Sequence, residues 1–371
     1  MNNSYHWILS FLLIGCFTKF VNAQGFNPIP TSFQSLMVTP DTRAAGMGNT
    51  GTATSATSNA IFWNPGKIVF NQDKLGVSLS YASLYKNLLI NNANLGSFAG
   101  YYKLSDKQAI SISARYFDYG KYRIQLGSPT FAEGDFKITD RIYSLAYSRK
   151  LNKNWGIGVT GSFIQAITKN EVVPDDIASR AHHSLAFDIG VFHSKPITIA
   201  GNESQWSFGA SIMNFGSKTS YPISNIESFI PITLSIGNTL STQFSTASKL
   251  SWTVNISKLM VPTPGVNFLT PYQGSSLQGA LESFGDAPGG LKEEFQELIW
   301  SSGLEYTFED FLALRAGYYH EHENKGNVKY ITLGAGLKTK KFRFDVAYFI
   351  NRGSTLLQNP REFRASVSFG I

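Results

Sequence analysis

The sequence predicts an all-β fold, a transmembrane antiparallel β-barrel of 14 strands, and three observations support it. Fourteen stretches of about ten residues alternate apolar and polar side chains, which gives a strand one apolar and one polar face. The segments between them alternate between long and short, as in outer-membrane barrels. The apolar faces carry many Phe, Tyr and Trp side chains, which suits aromatic girdles in lipid better than the aliphatic core of a soluble sandwich.

The first element is a secretory signal peptide, predicted over residues 1–23. Ile8 to Phe17 form a short apolar stretch, and Val21-Asn22-Ala23 supply the small residues of a cleavage site. A second interpretation remains open, because Leu13-Ile14-Gly15-Cys16 resembles a bacterial lipobox with Cys16 as the lipidated N-terminus. Cys16 is the one cysteine of the chain, so neither interpretation leaves a disulfide in the mature protein.

Residues 24–74 precede the first strand and are rich in Gly, Ala, Thr and Asn. A segment of such small residues cannot form a core alone, and we predict that it packs inside the barrel as a plug. Gly46, Gly48 and Gly51 are expected where small size or a positive φ is needed, and Trp63 is expected to pack beside them. The three glycines match GxGxxG, but no βαβ unit surrounds them, so we do not predict a nucleotide site.

The barrel itself is predicted over residues 75–371. Alternation is clearest at the C-terminus, where Phe363, Ala365, Val367 and Phe369 are separated by Arg364, Ser366 and Ser368. The predicted strands span 75–85, 93–103, 107–120, 135–149, 154–168, 182–194, 205–214, 230–241, 248–258, 298–308, 311–322, 327–338, 340–350 and 361–371.

The longest loop, 259–297, is predicted to face the outside if both termini are periplasmic. The opposite end then carries the shorter turns, among which 195–204 is unusually long. Within the long loop, Asp286 to Gly290 indicate a turn, and Leu291 to Leu298 have the spacing of a short amphipathic helix. A long loop with structure of its own usually has a function.

The same loop is rich in apolar residues, which we expect to be exposed and to form a protein interface, since contiguous exposed apolar surface usually marks one. The alternative is that the loop folds over the barrel mouth and packs on itself. The candidate residues are Leu259, Met260, Val261, Phe268, Leu269 and Tyr272.

The inward face of the predicted strands carries charges of both signs. In a narrow lumen we expect them to pair with each other and with the plug; a substrate-conducting lumen is the alternative. These residues are Arg115, Asp188, Glu305, Arg315, Arg343, Asp345 and Arg364.

The sequence predicts no catalytic residue, no cofactor and no metal site. His320-Glu321-His322-Glu323 lacks the spacing of a zinc motif, because only alternate residues of a strand share a face. The formal net charge of +7 comes from scattered Lys and Arg, which argues against nucleic acid as a partner and for contact with anionic membrane lipid.

Five segments together resemble one family: Pro40 to Gly48, Phe62 to Pro65, Val261 to Pro264, Ser283 to Gly290 and Leu314 to Gly326. The chain is similar to PorV (also called LptO), the outer-membrane protein of the type IX secretion system of Bacteroidota. The resemblance implies a FadL-like barrel of 14 strands and a role without enzymatic activity.

The resemblance also implies the partners. Proteins of this family bind the C-terminal signal domain of secreted cargo at the translocon barrel and deliver it to a surface attachment complex with a sortase-like protease. A FadL-like importer of hydrophobic small molecules remains the alternative function. A lateral opening and an apolar internal pocket would favour the importer, whereas a closed wall and an apolar outer rim would favour the cargo shuttle.

Overall fold

The computed structural model describes seven stretches of the chain. The predicted signal peptide, Cys16, Phe268 and Leu269 lie outside them. The described residues are 27–86, 91–124, 134–170, 181–220, 227–264, 272–352 and 362–371.

Strands that follow one another in the chain pair antiparallel, and the first pairs with the last to close a barrel of 14 strands. The predicted fold class is therefore confirmed. Two further short strands, β8 and β9, form a separate ribbon at the long-loop end. The strands are β1 (Leu75–Lys86), β2 (Asn91–Ser105), β3 (Gln108–Ile124), β4 (Gly134–Lys150), β5 (Trp155–Asn170), β6 (Ala181–Ile199), β7 (Asn202–Gly216), β8 (Thr219–Ser220), β9 (Glu227–Ser228), β10 (Thr233–Gln243), β11 (Ser248–Leu259), β12 (Ile299–Phe308), β13 (Leu312–His320), β14 (Lys329–Lys338), β15 (Phe342–Asn351) and β16 (Phe363–Gly370).

The predicted loop 195–204 is wrong, because β6 and β7 extend through most of it. They meet at a two-residue turn, in which Ala200 has φ 49° and Gly201 has φ 82°. Positive φ at both central residues is the geometry of a tight hairpin turn. Pro196 is tolerated in β6 because β5 begins only at Trp155, opposite His193, so one side of β6 has no ladder partner at Pro196.

The outer wall is apolar and the inner wall polar, as strand alternation dictates. Leu145, Trp252 and Phe344 are among the large side chains exposed on the outside. Near the short turns, the His193 ring lies 4.5 Å from Trp155 and 5.3 Å from Trp206, as part of an aromatic girdle. Across the part of the chain that is described, no helix has the length and apolar character to cross a membrane.

Residues 27–74, called the N-terminal segment below, lie against the inner wall in short helices. These are α1 (Thr42–Ala45) and 3₁₀ helices at Gln34–Met37, Ser58–Phe62 and Pro65–Phe70. The Asn64 side chain explains the last of these, since its Oδ1 accepts from Gly66 N at 2.9 Å and Pro65 follows at the first helical position. Asn64 Nδ2 also donates to Val191 O in the wall at 2.8 Å.

The long loop between β11 and β12 holds two helices, α2 (Ser276–Glu282) and α3 (Leu291–Gln296). Ser275 caps α2, because its Oγ accepts from Gln278 N at 3.2 Å. Helix α3 is the one predicted from Leu291 to Leu298, although it ends at Gln296. Helix α2 was not predicted.

Candidate functional site

The N-terminal segment touches the wall most closely at a pair of glycines. Gly48 has φ 69°, and its N–H donates to Thr332 Oγ1 at 2.8 Å. A Cβ on Gly48 would lie 2.7 Å from the backbone N and O of Tyr318, and one on Gly317 would lie 2.0 Å from Gly48 N. Gly46 has slightly more room, since a Cβ built on it would lie 3.1 Å from Gly334 Cα. Backbone therefore packs on backbone here, which only glycine on both sides allows.

Trp63 and Gly51 pack against each other within the N-terminal segment. A Cβ on Gly51 would lie 2.1 Å from the Trp63 ring. The Trp63 indole N–H donates to Asp41 Oδ2 at 3.1 Å, and its backbone carbonyl accepts from Ser211 Oγ of the wall at 2.8 Å. The four residues selected from the sequence, Gly46, Gly48, Gly51 and Trp63, thus lie at tight contacts of this segment, although Asn64, Pro65 and Thr52 approach wall glycines more closely than Gly46 does.

Four of the predicted inward charges meet in one buried network on β12, β13 and β15. Glu305 Oε2 lies 2.7 Å from Arg315 Nε, and Arg315 Nη1 lies 2.8 Å from Asp345 Oδ1 as an ion pair without hydrogen-bond geometry. Arg343 Nε lies farther off, 3.6 Å from Asp345 Oδ2. Opposite charges at such distances offset part of the cost of burying each one.

The network also includes Arg43 from α1, which the sequence-based selection missed. Its guanidinium makes a two-pronged contact with Glu305, with Nη2 to Oε1 at 2.6 Å and Nε to Oε2 at 2.9 Å. Burial works to lower the pKa of Arg43, but the Glu305 carboxylate outweighs it and raises that pKa above its ordinary value. The arginine in Asp41-Thr42-Arg43, within the resemblance motif, was the available signal.

The other three predicted charges lie apart from this network. Arg364 donates to Glu362 and to the Thr39 carbonyl oxygen, and it stacks over the Phe349 ring at 4.8 Å. Asp188 Oδ1 accepts from Asn214 N at 2.6 Å. Arg115 lies over the Phe62 ring at 5.3 Å. The predicted inward charges therefore serve several separate local contacts.

Lys67 is a buried cation that sequence analysis did not single out. Its Nζ donates to Gly51 O at 2.5 Å and to Thr54 Oγ1 at 3.2 Å, both within the N-terminal segment. Burial lowers the pKa of Lys67 to about 7. Its position after Asn64-Pro65-Gly66 gives no sequence signal that it is enclosed.

The expectation that Met260 and Val261 are exposed is wrong. Met260 is 7% exposed and Val261 is 2% exposed, because both enter a hydrophobic core with Phe229 and Ile230. Met260 N donates to Ile232 O at 2.8 Å, which continues the β10–β11 pairing past the end of the strand. This part of the loop therefore folds over the barrel mouth, as in the alternative, and packs mainly on the wall, the N-terminal segment and the residues before β10.

The remaining described candidates are only partly exposed. Leu259 ends β11 and is half-buried. Tyr272 packs against the same core, with its ring 5.6 Å from that of Phe229.

Other side chains of the loop are exposed instead, and we call them the outer apolar face. They are 47% to 77% exposed and come from α2, α3 and the turn between them. Leu291 and Phe295 were predicted to share a face of α3. The outer apolar face comprises Leu277, Leu281, Phe284, Leu291 and Phe295.

Ion pairs join α3 to β11 and to the loop between β13 and β14. Glu297, directly after the helix, has a side chain only 1% exposed and receives Lys258 Nζ, Lys325 Nζ at 2.9 Å and Thr263 Oγ1 at 2.6 Å. Lys258 also pairs with Glu294 at 3.1 Å. Two cations from the wall and the next loop thus fix the acidic side of α3, while Leu291 and Phe295 remain exposed beside Ile236 and Ile256 of the wall.

A cavity of about 290 Å³ opens among the short turns, below the ion network. Its lining is strongly charged on both the wall and the N-terminal segment. The charged lining residues include Asp41, Arg43, Lys249, Glu305 and Asp345.

Comparison with solved structures shows the fold. The Pseudomonas putida toluene transporter TodX is similar at 11% identity, with 88% of this chain and 96% of TodX covered and a TM-score of 0.55. The Ralstonia pickettii toluene transporter TbuX is similar at 10% identity, with 94% of this chain and 98% of TbuX covered and a TM-score of 0.51. Both are FadL-like barrels.

Comparison at the sequence level shows the family. No curated protein sequence matches this chain. The family described as type IX secretion system protein PorV matches residues 21–266, which is more than half of the chain. The protein is thus an outer-membrane β-barrel, and this chain belongs to the PorV family.

Proposed function

We propose that this protein binds the C-terminal signal domain of secreted cargo at the type IX translocon barrel and carries it to the sortase-like attachment complex, without catalysing a reaction itself. The observation that carries the proposal is the PorV match over residues 21–266, which makes the chain an outer-membrane component of that secretion system. Binding and delivery of cargo are tested by the experiment below.

The outer apolar face supports the proposal physically. Its side chains stand in water or at the membrane rim, where exposed apolar surface is costly until a partner covers it. The ion pairs of Glu297 with Lys258 and Lys325 fix the end of α3, and with it the α3 part of the face, before any partner arrives. A preordered surface loses less conformational entropy on binding, which raises affinity.

Two features weigh against an importer of hydrophobic molecules like the toluene transporters. Strand β1 pairs with β16 from Gly76 to Ser83, so the wall is closed at its seam. Within the described lumen, the Arg43–Glu305 contact crosses from the N-terminal segment to the wall. A hydrophobic molecule on that route would have to pass buried charges.

The test replaces two members of the outer apolar face. Leu291→Ser with Phe295→Ser should reduce co-purification of a cargo C-terminal signal domain by an order of magnitude or more, since each side chain contributes about 1.5–3 kcal/mol if buried. The matched control is Leu151→Ser with Phe244→Ser, which removes two exposed apolar side chains at the short turns. A heat-modifiability gel confirms that all variants are folded.

The outcomes separate the alternatives. Normal cargo capture by the folded Leu291/Phe295 variant would remove α3 from the interface. Failure of the wild-type protein to capture any cargo or translocon component, together with uptake of labelled toluene by cells that express it, would favour the importer.

A further inference from the structure

A groove of about 850 Å³ crosses the lipid-facing wall over β16, β1, β2, β3 and β4. Its floor is low because Gly96, Ala114 and Ala365 have small side chains or none. Gly96 lies in register between Tyr81 on β1 and Tyr116 on β3, and a Cβ built on it would meet nothing within 4 Å. The Tyr81 and Tyr116 side chains thus flank an unfilled part of this surface groove.

One end of the groove carries a cation that faces outward. Arg141 on β4 is exposed and pairs in register with Tyr116 on one side and Gln165 on the other. Among the described residues, no ion pair of Arg141 is found. An outward arginine on a lipid-facing wall needs an anion or water, because hydrocarbon solvates no charge.

Position along β4 places Arg141 at the membrane boundary. Tyr143, Leu145 and Tyr147 follow it on the outward face, and Arg149 is the next outward residue. At about 3.4 Å per residue and about 40° of tilt, the two arginines are about 21 Å apart along the membrane normal, close to the height of an apolar band. Arg141 is at the long-loop side, which is the outer leaflet in barrels with short periplasmic turns.

We propose that this groove binds a phosphorylated lipid of the outer leaflet, with an acyl chain between Tyr81 and Tyr116 and the phosphate on Arg141. The groove opens toward the hydrocarbon layer, so a membrane lipid is the molecule in contact with it. A guanidinium recognises phosphate with two parallel hydrogen bonds, which supplies the headgroup specificity. The site is separate from the outer apolar face and does not depend on the shuttle proposal.

The test is native mass spectrometry of the detergent-solubilised protein with added phosphatidylglycerol. Wild type should retain one phosphatidylglycerol more tightly than zwitterionic phosphatidylcholine. Arg141→Gln should weaken phosphatidylglycerol binding about tenfold, the effect of losing one charge-assisted contact. Arg149→Gln is the matched control, because it removes the same charge from the same face of β4 at the other boundary.

A second variant tests the acyl-chain part. Gly96→Leu puts a side chain into the unfilled part of the groove and should weaken both lipids, while the gel shift of the folded barrel stays unchanged. Equal binding by Arg141→Gln and wild type would overturn the proposal. So would equal losses in the Arg141 and Arg149 variants, which indicate general attraction of anions. Inorganic phosphate that competes fully with phosphatidylglycerol would show a free-anion site instead of a lipid site.

Discussion

Gly48 is a residue at which backbone conformation and space both exclude a side chain, because its φ is 69° and a Cβ built on it would lie 2.7 Å from the backbone N and O of Tyr318. Gly48→Val combines an unfavourable φ with overlap on the Tyr318 backbone, which we expect to cost roughly 1–3 kcal/mol in the free energy of unfolding. The variant should lose its heat-resistant gel shift at a lower temperature than wild type. Gly285→Val is the control, because a Cβ there meets nothing within 4 Å. Equal melting of the two variants would mean that the contact at Tyr318 relaxes freely.

Lys67 predicts a pH dependence whose sign follows from its environment. Burial lowers its pKa to about 7 from an ordinary value of 10.5. Between these pH values the unfolded chain binds a proton that the folded chain does not, so stability rises with pH across this window and this contribution levels off below about pH 7. Lys67→Met should show a smaller rise in unfolding temperature over that window, whereas exposed Lys292→Met should follow wild type. Parallel curves for Lys67→Met and wild type would contradict the assignment.

The alternation of side chains along each strand predicted which charged residues face inward, but it did not identify their partners. Glu305, Arg315 and Asp345 follow from alternation alone, since alternate residues share a face. Arg43 lies in a segment without periodicity, so only the folded chain shows that it meets Glu305. For the same reason, alternation did not distinguish exposed Leu291 from buried Val261 in the long loop.

At the scale of elements, α3 depends on the carboxylate that follows it. Glu297→Gln leaves Lys258 and Lys325 with Glu293 and Glu294, so we expect a local cost of roughly 1–3 kcal/mol rather than loss of the barrel. Trypsin should then cleave after exposed Lys292 faster than in wild type, as detected by mass spectrometry. Glu309→Gln, an exposed carboxylate in a short turn, should leave the cleavage rate unchanged. An unchanged rate for Glu297→Gln would show that the ion pairs do not hold α3.

Elements in which apolar and polar residues alternate over many positions were predictable from the sequence, and elements that depend on tertiary contacts were not. The barrel strands alternate over many residues, and their existence follows from the sequence. Helix α2 contains Gly279, a poor helix former, and packs it so closely under Phe229 that a Cβ would lie 2.6 Å from that ring. The tight turn at Ala200–Gly201 was hidden by Pro196, which usually marks the end of a strand.

At the scale of the whole molecule, the orientation in the membrane is open to a direct test. A membrane-impermeant maleimide should label Lys292→Cys on intact cells and leave Lys153→Cys unlabelled until the outer membrane is disrupted. Both lysines are exposed, one in the long loop and one in a short turn, so access alone decides the result. Wild type, with Cys16 as its one cysteine, is the background control. If only Lys153→Cys were labelled on intact cells, the short turns would face the outside, opposite to the predicted orientation.

The ion contact between the N-terminal segment and the wall also constrains how the chain assembles. Arg43 and Glu305 are 262 residues apart in sequence, and Gly48 and Thr332 are 284 apart. Contacts of such long range carry a large cost in loop-closure entropy until the intervening chain is ordered. We therefore expect the N-terminal segment, although it is synthesised early, to reach its final position late, once β12 to β15 have formed. On this expectation, Arg43 and Lys67 stay hydrated while the strands assemble, and water fills the barrel until the N-terminal segment packs there.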